Sequence, residues 1–209
     1  MVRILVFGAS TAYGAWDAEG GWADRLKRHC HEKTIQGKMY CLVYNLGISG
    51  ASTDEMLVRF QSESRERMKE SERTIFIIAA GTNDARFIRS KGRNDVPPGK
   101  FRQNLTKLIA LARKRSTAVL IIGPTPVDQS KTDPVPWDRN HSFRNADITK
   151  YNAIMESVCS ERHVHFIDML DAMKGASYLS DDGLHPGTKG HARMFRIILR
   201  SLVEKKVLQ

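Results

Sequence analysis

Four short blocks carry the residue types from which chemistry could be built: Gly8-Ala9-Ser10-Thr11-Ala12-Tyr13-Gly14, Gly47-Ile48-Ser49-Gly50, Gly81-Thr82-Asn83-Asp84 and Asp181-Asp182-Gly183-Leu184-His185-Pro186. A serine hydroxyl is a poor nucleophile at neutral pH and attacks carbonyl carbon only with a base in hydrogen-bond reach. Asp182 stands three residues before His185, close enough in a turn to accept a hydrogen bond from the imidazole Nδ1–H. A side-chain amide such as that of Asn83, or a glycine N–H, can stabilise negative charge developing on a carbonyl oxygen. Each block also has a plainer reading. Ser10 fits a helix N-cap, and Gly8 and Gly14 bracket a turn of the kind that cradles phosphate, without a Walker lysine or dinucleotide spacing. Asn83 fits an Asx turn, and Asp181-Asp182-Gly183 fits a surface turn with a solvent-facing histidine.

The elements that must position these blocks are legible as short apolar runs. Ile4 to Phe7, Cys41 to Leu46, Thr74 to Ala79, Val119 to Ile122 and Val164 to Ile167 lack polar alternation, as strands buried on both faces do. Between them apolar residues recur at helical spacing: Trp22, Leu26 and Cys30; Phe101, Leu105, Leu108, Ile109 and Ala112; Tyr151, Ile154, Met155 and Val158; Phe195, Ile198, Leu199 and Leu202. This alternation predicts a three-layer α/β/α sandwich around a parallel sheet. Ligands bind such sheets outside the carboxyl ends of the strands. Three of the blocks directly follow an apolar run, and the fourth lies a short helical stretch beyond the fifth run. Two stretches lack periodicity and read as loops, Ser90 to Gly99 and Pro124 to Asp147. The second should overhang the same sheet edge, offering Trp137 as a substrate contact.

The chain has 209 residues, enough for one domain with a core that needs no staple. Hydrophobic residues make up 41% and charged residues 27%, which excludes collagen-like, disordered and membrane-spanning classes. The three cysteines, Cys30, Cys41 and Cys159, are odd in number and widely spaced, as in a reduced cytosolic protein. The histidine pairs His29/His31 and His163/His165 complete no set at metal-ligand spacing. A formal charge of +10 arises from scattered Lys and Arg. No basic run is interleaved with aromatics, so solvated basic faces are expected and nucleic-acid binding is not. The opening apolar run is too short for a signal-peptide core. A cytoplasmic location and no stable membrane insertion are therefore expected.

The four blocks, in this order, resemble those of the SGNH hydrolases, also called the GDSL esterase/lipase family. The likeness spans Val6 to about Gly190, with Ile121-Gly123-Pro124 and Phe166-Ile167-Asp168 similar to the family's later strands. Ala9 and Thr11 depart from the family motif, which has Asp and Leu there. The resemblance implies a single flavodoxin-like domain over residues 1–209, with five parallel strands in the order 2-1-3-4-5. It implies Ser10 as nucleophile, His185 as base and Asp182 as its orienting carboxylate. An oxyanion hole would be made by the N–H groups of Ser10 and Gly47 and the amide of Asn83. The expected activity is hydrolysis of an ester or thioester, of a small molecule, a lipid or an acylated carbohydrate, through an acyl-enzyme and without metal or organic cofactor. The alternative is a catalytically silent ligand-binding domain of the same fold. Ser49 is a rival nucleophile by type, but its surroundings are not a G-x-S-x-G elbow, since residue 51 is Ala.

Overall fold

A computed structural model describes residues 1–208, the side chain of Ala176 excepted. Its central element is β1 (Val2–Gly8), buried along its whole length. Successive strand side chains point to opposite faces, so this one strand feeds two cores. Val2, Ile4 and Val6 enter a cluster with Trp22, Leu26, Ile198 and Leu202. Leu5 and Phe7 enter a second cluster with Met56, Phe101, Leu105, Tyr151 and Met155.

The parallel partners of β1 are β2 (Cys41–Gly47) on one side and β3 (Arg73–Ala79) on the other. A hairpin, β4 (Phe87–Ile88) and β5 (Arg93–Asn94), precedes β6 (Ala118–Ile122), which pairs with β3. The short β7 (His141–Ser142) lies outside the main sheet, and β8 (His165–Ile167) closes it beside β6. The main sheet has the order β2-β1-β3-β6-β8. With the fourth and fifth apolar runs as β6 and β8, that is the expected 2-1-3-4-5. The direction of winding reverses between β1 and β3, and the crevice at that reversal is where doubly wound sheets bind ligands.

Helices form where the apolar period is 3.6. After the single turn α1 (Ser10–Tyr13), α2 (Gly21–Ile35) buries Trp22, Leu26 and Cys30. The next helix, α3 (Thr53–Arg65), starts at a capping box, with the N–H and hydroxyl of Ser52 both donating to Glu55. A proline at the first helical position opens α4 (Pro98–Arg113). One turn, α5 (Gln129–Thr132), leads through β7 to α6 (Asn145–Glu161), and α7 (Thr188–Glu204) follows β8. In α7 the fully buried stripe is Met194, Ile198 and Leu202; Phe195 and Leu199 are only partly buried.

The two stretches read as loops are more ordered than their composition suggests. Residues 90–99 contain β5 and the start of α4, and residues 124–147 contain α5, β7 and the start of α6. Together they supply two strands of a small antiparallel sheet, β5-β4-β7. Strands of two residues have no detectable period, so no sequence pattern marks them. Val127, Val135 and Phe143 from this region pack with Leu184 in a third apolar cluster.

Candidate active site

Ser10 leaves the sheet edge two residues after β1 ends. The N-cap of α1 is Ala9, and Ser10 is its first residue, so the capping role open to Ser10 falls away. Its hydroxyl lies 2.9 Å from His185 Nε2 instead. The turn back into α1 requires Gly14, at φ +96°; a Cβ there would sit 2.1 Å from the Gly20 carbonyl oxygen.

Across the cleft, the turn carrying His185 is closed by the Ser180 N–H donating to the His185 carbonyl at 2.8 Å and a bridge between Leu179 and Pro186. His185 Nδ1 lies 2.6 Å from Asp182 Oδ2. The other carboxylate oxygen accepts from the Ser180 hydroxyl (2.6 Å), the Leu184 N–H (2.9 Å) and the His185 N–H (3.0 Å). Burial opposes ionisation of Asp182, but the donors from His185, Ser180 and the turn backbone outweigh it and hold its carboxyl well below the usual range. An ionised Asp182 fixes the imidazole tautomer with the proton on Nδ1, leaving Nε2 free to take the Ser10 proton. Ser10, His185 and Asp182 thus form one continuous chain.

Gly47 does not join that chain. Its N–H donates to Asn45 Oδ1 at 3.1 Å, and a Cβ on Gly47 would lie 2.3 Å from the Tyr13 nitrogen. Glycine is required there by the close passage of α1, and the N–H expected to donate to an oxyanion is engaged by Asn45. Gly50, three residues on at φ +79°, lines the cleft with Ser10, Asn83 and His185. Among the described residues its N–H has no protein partner. Asn83 is buried; one amide hydrogen goes to the Ala51 carbonyl at 3.1 Å, which leaves the second for a ligand. Ser49, the rival nucleophile, lines the groove.

Two groups that the sequence did not single out brace these loops. Arg59 of α3 donates to the carbonyls of Leu46 (2.8 Å) and Gly8 (3.2 Å), tying the ends of β2 and β1 together. Asp84 accepts from the Thr53 N–H (2.9 Å), the Thr53 hydroxyl (2.5 Å) and the Gly81 N–H (3.3 Å), joining the end of β3 to the start of α3. Burial pushes the Asp84 carboxyl up to about 6, against the pull of those donors.

The cleft has three unequal parts, the central one a pocket of about 130 Å³ between Ser10, Gly50, Asn83, Val135, Leu184 and His185. A crevice of about 30 Å³ lies behind Ser10 and Asn83, walled by Ala9, Ala51, Ala80 and Gly123. An open groove of about 560 Å³ is bordered by Trp16, Ser49, Trp137, Asp182 and His185. Trp137 is therefore on the cleft, 57% exposed. The region around it also supports the turn carrying His185: Asp128 N–H donates to the Gly183 carbonyl at 2.7 Å, and Leu184 sits in the third apolar cluster. Trp16, also on the groove, escaped sequence reasoning altogether. Its indole Nε1 lies 2.7 Å from Asp182 Oδ2 and 2.9 Å from His185 Nδ1. A tryptophan inside a polar, glycine-flanked loop was the one signal that could have marked it. Among the described residues no group of three or more His, Cys, Asp or Glu is placed to hold a metal ion, and no helix is long and apolar enough to cross a membrane.

Comparison with known proteins places this geometry in context. The family model described as the GDSL-like Lipase/Acylhydrolase family matches residues 6–193. Among solved structures, the lipase/acylhydrolase from Enterococcus faecalis superposes with a TM-score of 0.77 at 22% identity, over 98% of this chain and 97% of that one. A variant of Axe2, an acetylxylan esterase from Geobacillus stearothermophilus, superposes with a TM-score of 0.71 at 17% identity, over 95% and 92%. LAE5, an alpha/beta hydrolase enzyme from the metagenome of Lake Arreo, gives 0.73 at 16% identity, over 95% and 93%. Among curated proteins, none matches the chain in sequence.

Proposed function

Since the chain belongs to the GDSL-like lipase/acylhydrolase family, we propose that it hydrolyses carboxylic esters through an acyl-enzyme on Ser10. The observation that carries this reading is the unbroken relay from Ser10 Oγ to His185 Nε2 at 2.9 Å and from His185 Nδ1 to Asp182 Oδ2 at 2.6 Å. Ser10 Oγ attacks the ester carbonyl carbon while its proton passes to His185 Nε2. The oxyanion is held by the N–H groups of Ser10 and Gly50 and by the free amide hydrogen of Asn83. The tetrahedral intermediate collapses, the alkoxide leaves with the proton from His185, and the acyl group stays on Ser10. Water then adds to the acyl-enzyme, giving its proton to His185, which returns it to Ser10 as the carboxylic acid departs.

The shape of the cleft supports a short acyl group on a larger alcohol. By the measure in which one water needs roughly 10–15 Å³, the crevice of about 30 Å³ admits about two water-sized groups. That is an acetyl-like end, and the pocket of about 130 Å³ over Ser10, Gly50, Asn83 and His185, with the open groove beyond it, is left for the alcohol. The likeness to an acetylxylan esterase agrees with this division.

The test is labelling and turnover in parallel. A fluorophosphonate should modify Ser10 and no other serine, and p-nitrophenyl acetate should be cleaved faster than the octanoate. Ser10→Ala should abolish both reactions with its melting temperature unchanged. Turnover surviving in Ser10→Ala, or a wild-type protein that neither labels nor cleaves any ester, would overturn the reading; the latter leaves a binding domain of this fold.

A further inference from the structure

We propose that Trp16 is a positioning residue for the Asp182–His185 pair, its indole N–H sharing Asp182 Oδ2 with His185 Nδ1 and holding the carboxylate on the imidazole. This rests on the esterase reading above and adds to it a residue outside the four sequence blocks.

Three observations converge on Trp16. It is 65% exposed, so the core gains little from it, although tryptophan is the largest apolar side chain. Its backbone stands at φ +64°, a left-handed conformation that bulky L-residues rarely adopt. Strain of this kind persists only where the surroundings over-determine it. Here the residues on either side are both tied down. The Ala15 N–H donates to the Ser10 carbonyl at 3.0 Å, and the Ala15 carbonyl accepts from Nε2 of the fully buried His191 at 3.1 Å. His191 Nδ1 takes the Trp22 N–H, so the proton on its ring belongs to Nε2. The Asp17 carboxylate, buried, is held by Arg25 through contacts of 3.0, 3.2 and 3.3 Å. The loop is thus fixed to Ser10 and α7 at its Ala15 end and to α2 at its Asp17 end.

What that anchored loop delivers is one hydrogen-bond donor. The indole has a single N–H, and its nitrogen is 2.7 Å from Asp182 Oδ2. His185 Nδ1, 2.6 Å from the same oxygen, carries its own proton, so the indole hydrogen belongs to the carboxylate and not to the imidazole. The other oxygen, Oδ1, is already taken by Ser180, Leu184 and His185. Oδ2 is shared by the indole and the imidazole, the two rings lying edge-on at 89° with centroids 5.8 Å apart. A carboxylate fixed on both oxygens cannot swing away from His185 as the imidazolium forms. The nucleophile is activated through that pair, so loss of the indole N–H should slow attack by Ser10 itself.

Two substitutions separate this from a structural or a groove-wall role. Trp16→Phe keeps an aromatic wall and removes the N–H. Trp16→Gly removes the whole side chain at a φ that glycine adopts freely, so folding is not put at risk. The reading is the second-order rate of Ser10 labelling by a small fluorophosphonate, followed by mass spectrometry. Both variants should label about tenfold or more slowly, since small misplacements of catalytic groups cost rates of that order. The melting temperature should be unchanged in Trp16→Phe and unchanged or higher in Trp16→Gly. In a ¹⁵N spectrum, Asp182→Asn should move the indole resonance that Trp16→Phe deletes. Wild-type labelling rates in both variants would overturn the proposal, as would an effect confined to KM for bulky esters, which marks only a wall. A lowered melting temperature in Trp16→Gly with labelling reduced only in proportion would overturn it in favour of a structural role. Absence of labelling in the wild type would instead sink the esterase reading, and this inference with it.

Discussion

Asn83 shows how one amide can be both fixed and free. Its first hydrogen is spent on the Ala51 carbonyl, and the residue follows a strand locked between β1 and β6. The second hydrogen is therefore aimed before any substrate arrives, which is what makes such a donor effective in the transition state. Asn83→Ala should lower kcat by ~10²–10³ with a smaller effect on KM. Steady-state kinetics on the best p-nitrophenyl ester measures this. A fall below about threefold in a folded variant would make Asn83 a turn residue, far from the cost typical of a lost oxyanion donor. Gly47 and Gly50 carry the complementary lesson. Both are glycines in one block, yet one is required for packing against Tyr13 and the other leaves an N–H open to the cleft.

At the scale of elements, the site is a set of strand ends held in register by side chains from the helices. Arg59 joins β1 to β2, and Asp84 joins the end of β3 to α3. Asp84 makes that staple titratable. Its folded pKa of about 6 stands above the ordinary 3.8, so the folded state holds the proton more tightly than the unfolded chain. The stability tied to the protonated form is complete below about pH 4 and is lost as pH rises through about 6, a change of about 3 kcal/mol for a shift of this size. Asp84→Asn cannot titrate. The melting temperature of the variant should therefore gain on that of the wild type between pH 4 and pH 7, whatever the offset from the lost acceptor. Parallel thermal melts across that range would test it; a constant difference would show that Asp84 does not ionise there.

For the whole molecule, the decisive fact is that β1 is buried on both faces. Removing one of its side chains opens a cavity in a close-packed layer and also loosens the mount of Ser10. Leu5→Ala, fully buried in the second core, should cost about 2–5 kcal/mol in urea unfolding. The transition should remain single, because the two cores share the sheet. A cost under about 1 kcal/mol would mean that the second core can collapse around the gap.

The strands and helices were legible in the sequence because they rest on local chemistry, whereas the order of the main sheet and the roles expected of Ser10, Asp182 and His185 came from the resemblance to a known family. Buried parallel strands are written as unbroken apolar runs such as Ile75-Phe76-Ile77-Ile78, helices as a 3.6-residue stripe, and the reactive block as Asp182 three residues before His185. What only the tertiary structure decided depends on contacts across long separations. Trp16 meets Asp182 over 166 residues, Arg59 meets Gly8 over 51, and Asp84 meets Thr53 over 31. The need for glycine at position 47 depends on where α1 passes, the engagement of its N–H depends on the Asn45 side chain, and the order of residues 124–147 depends on two-residue strands and on the burial of Leu184. Periodicity records which face of an element meets a core. It carries no record of which distant side chain fills the last lone pair of Asp182, because that is set by how the packed layers bring the loops together at the sheet edge.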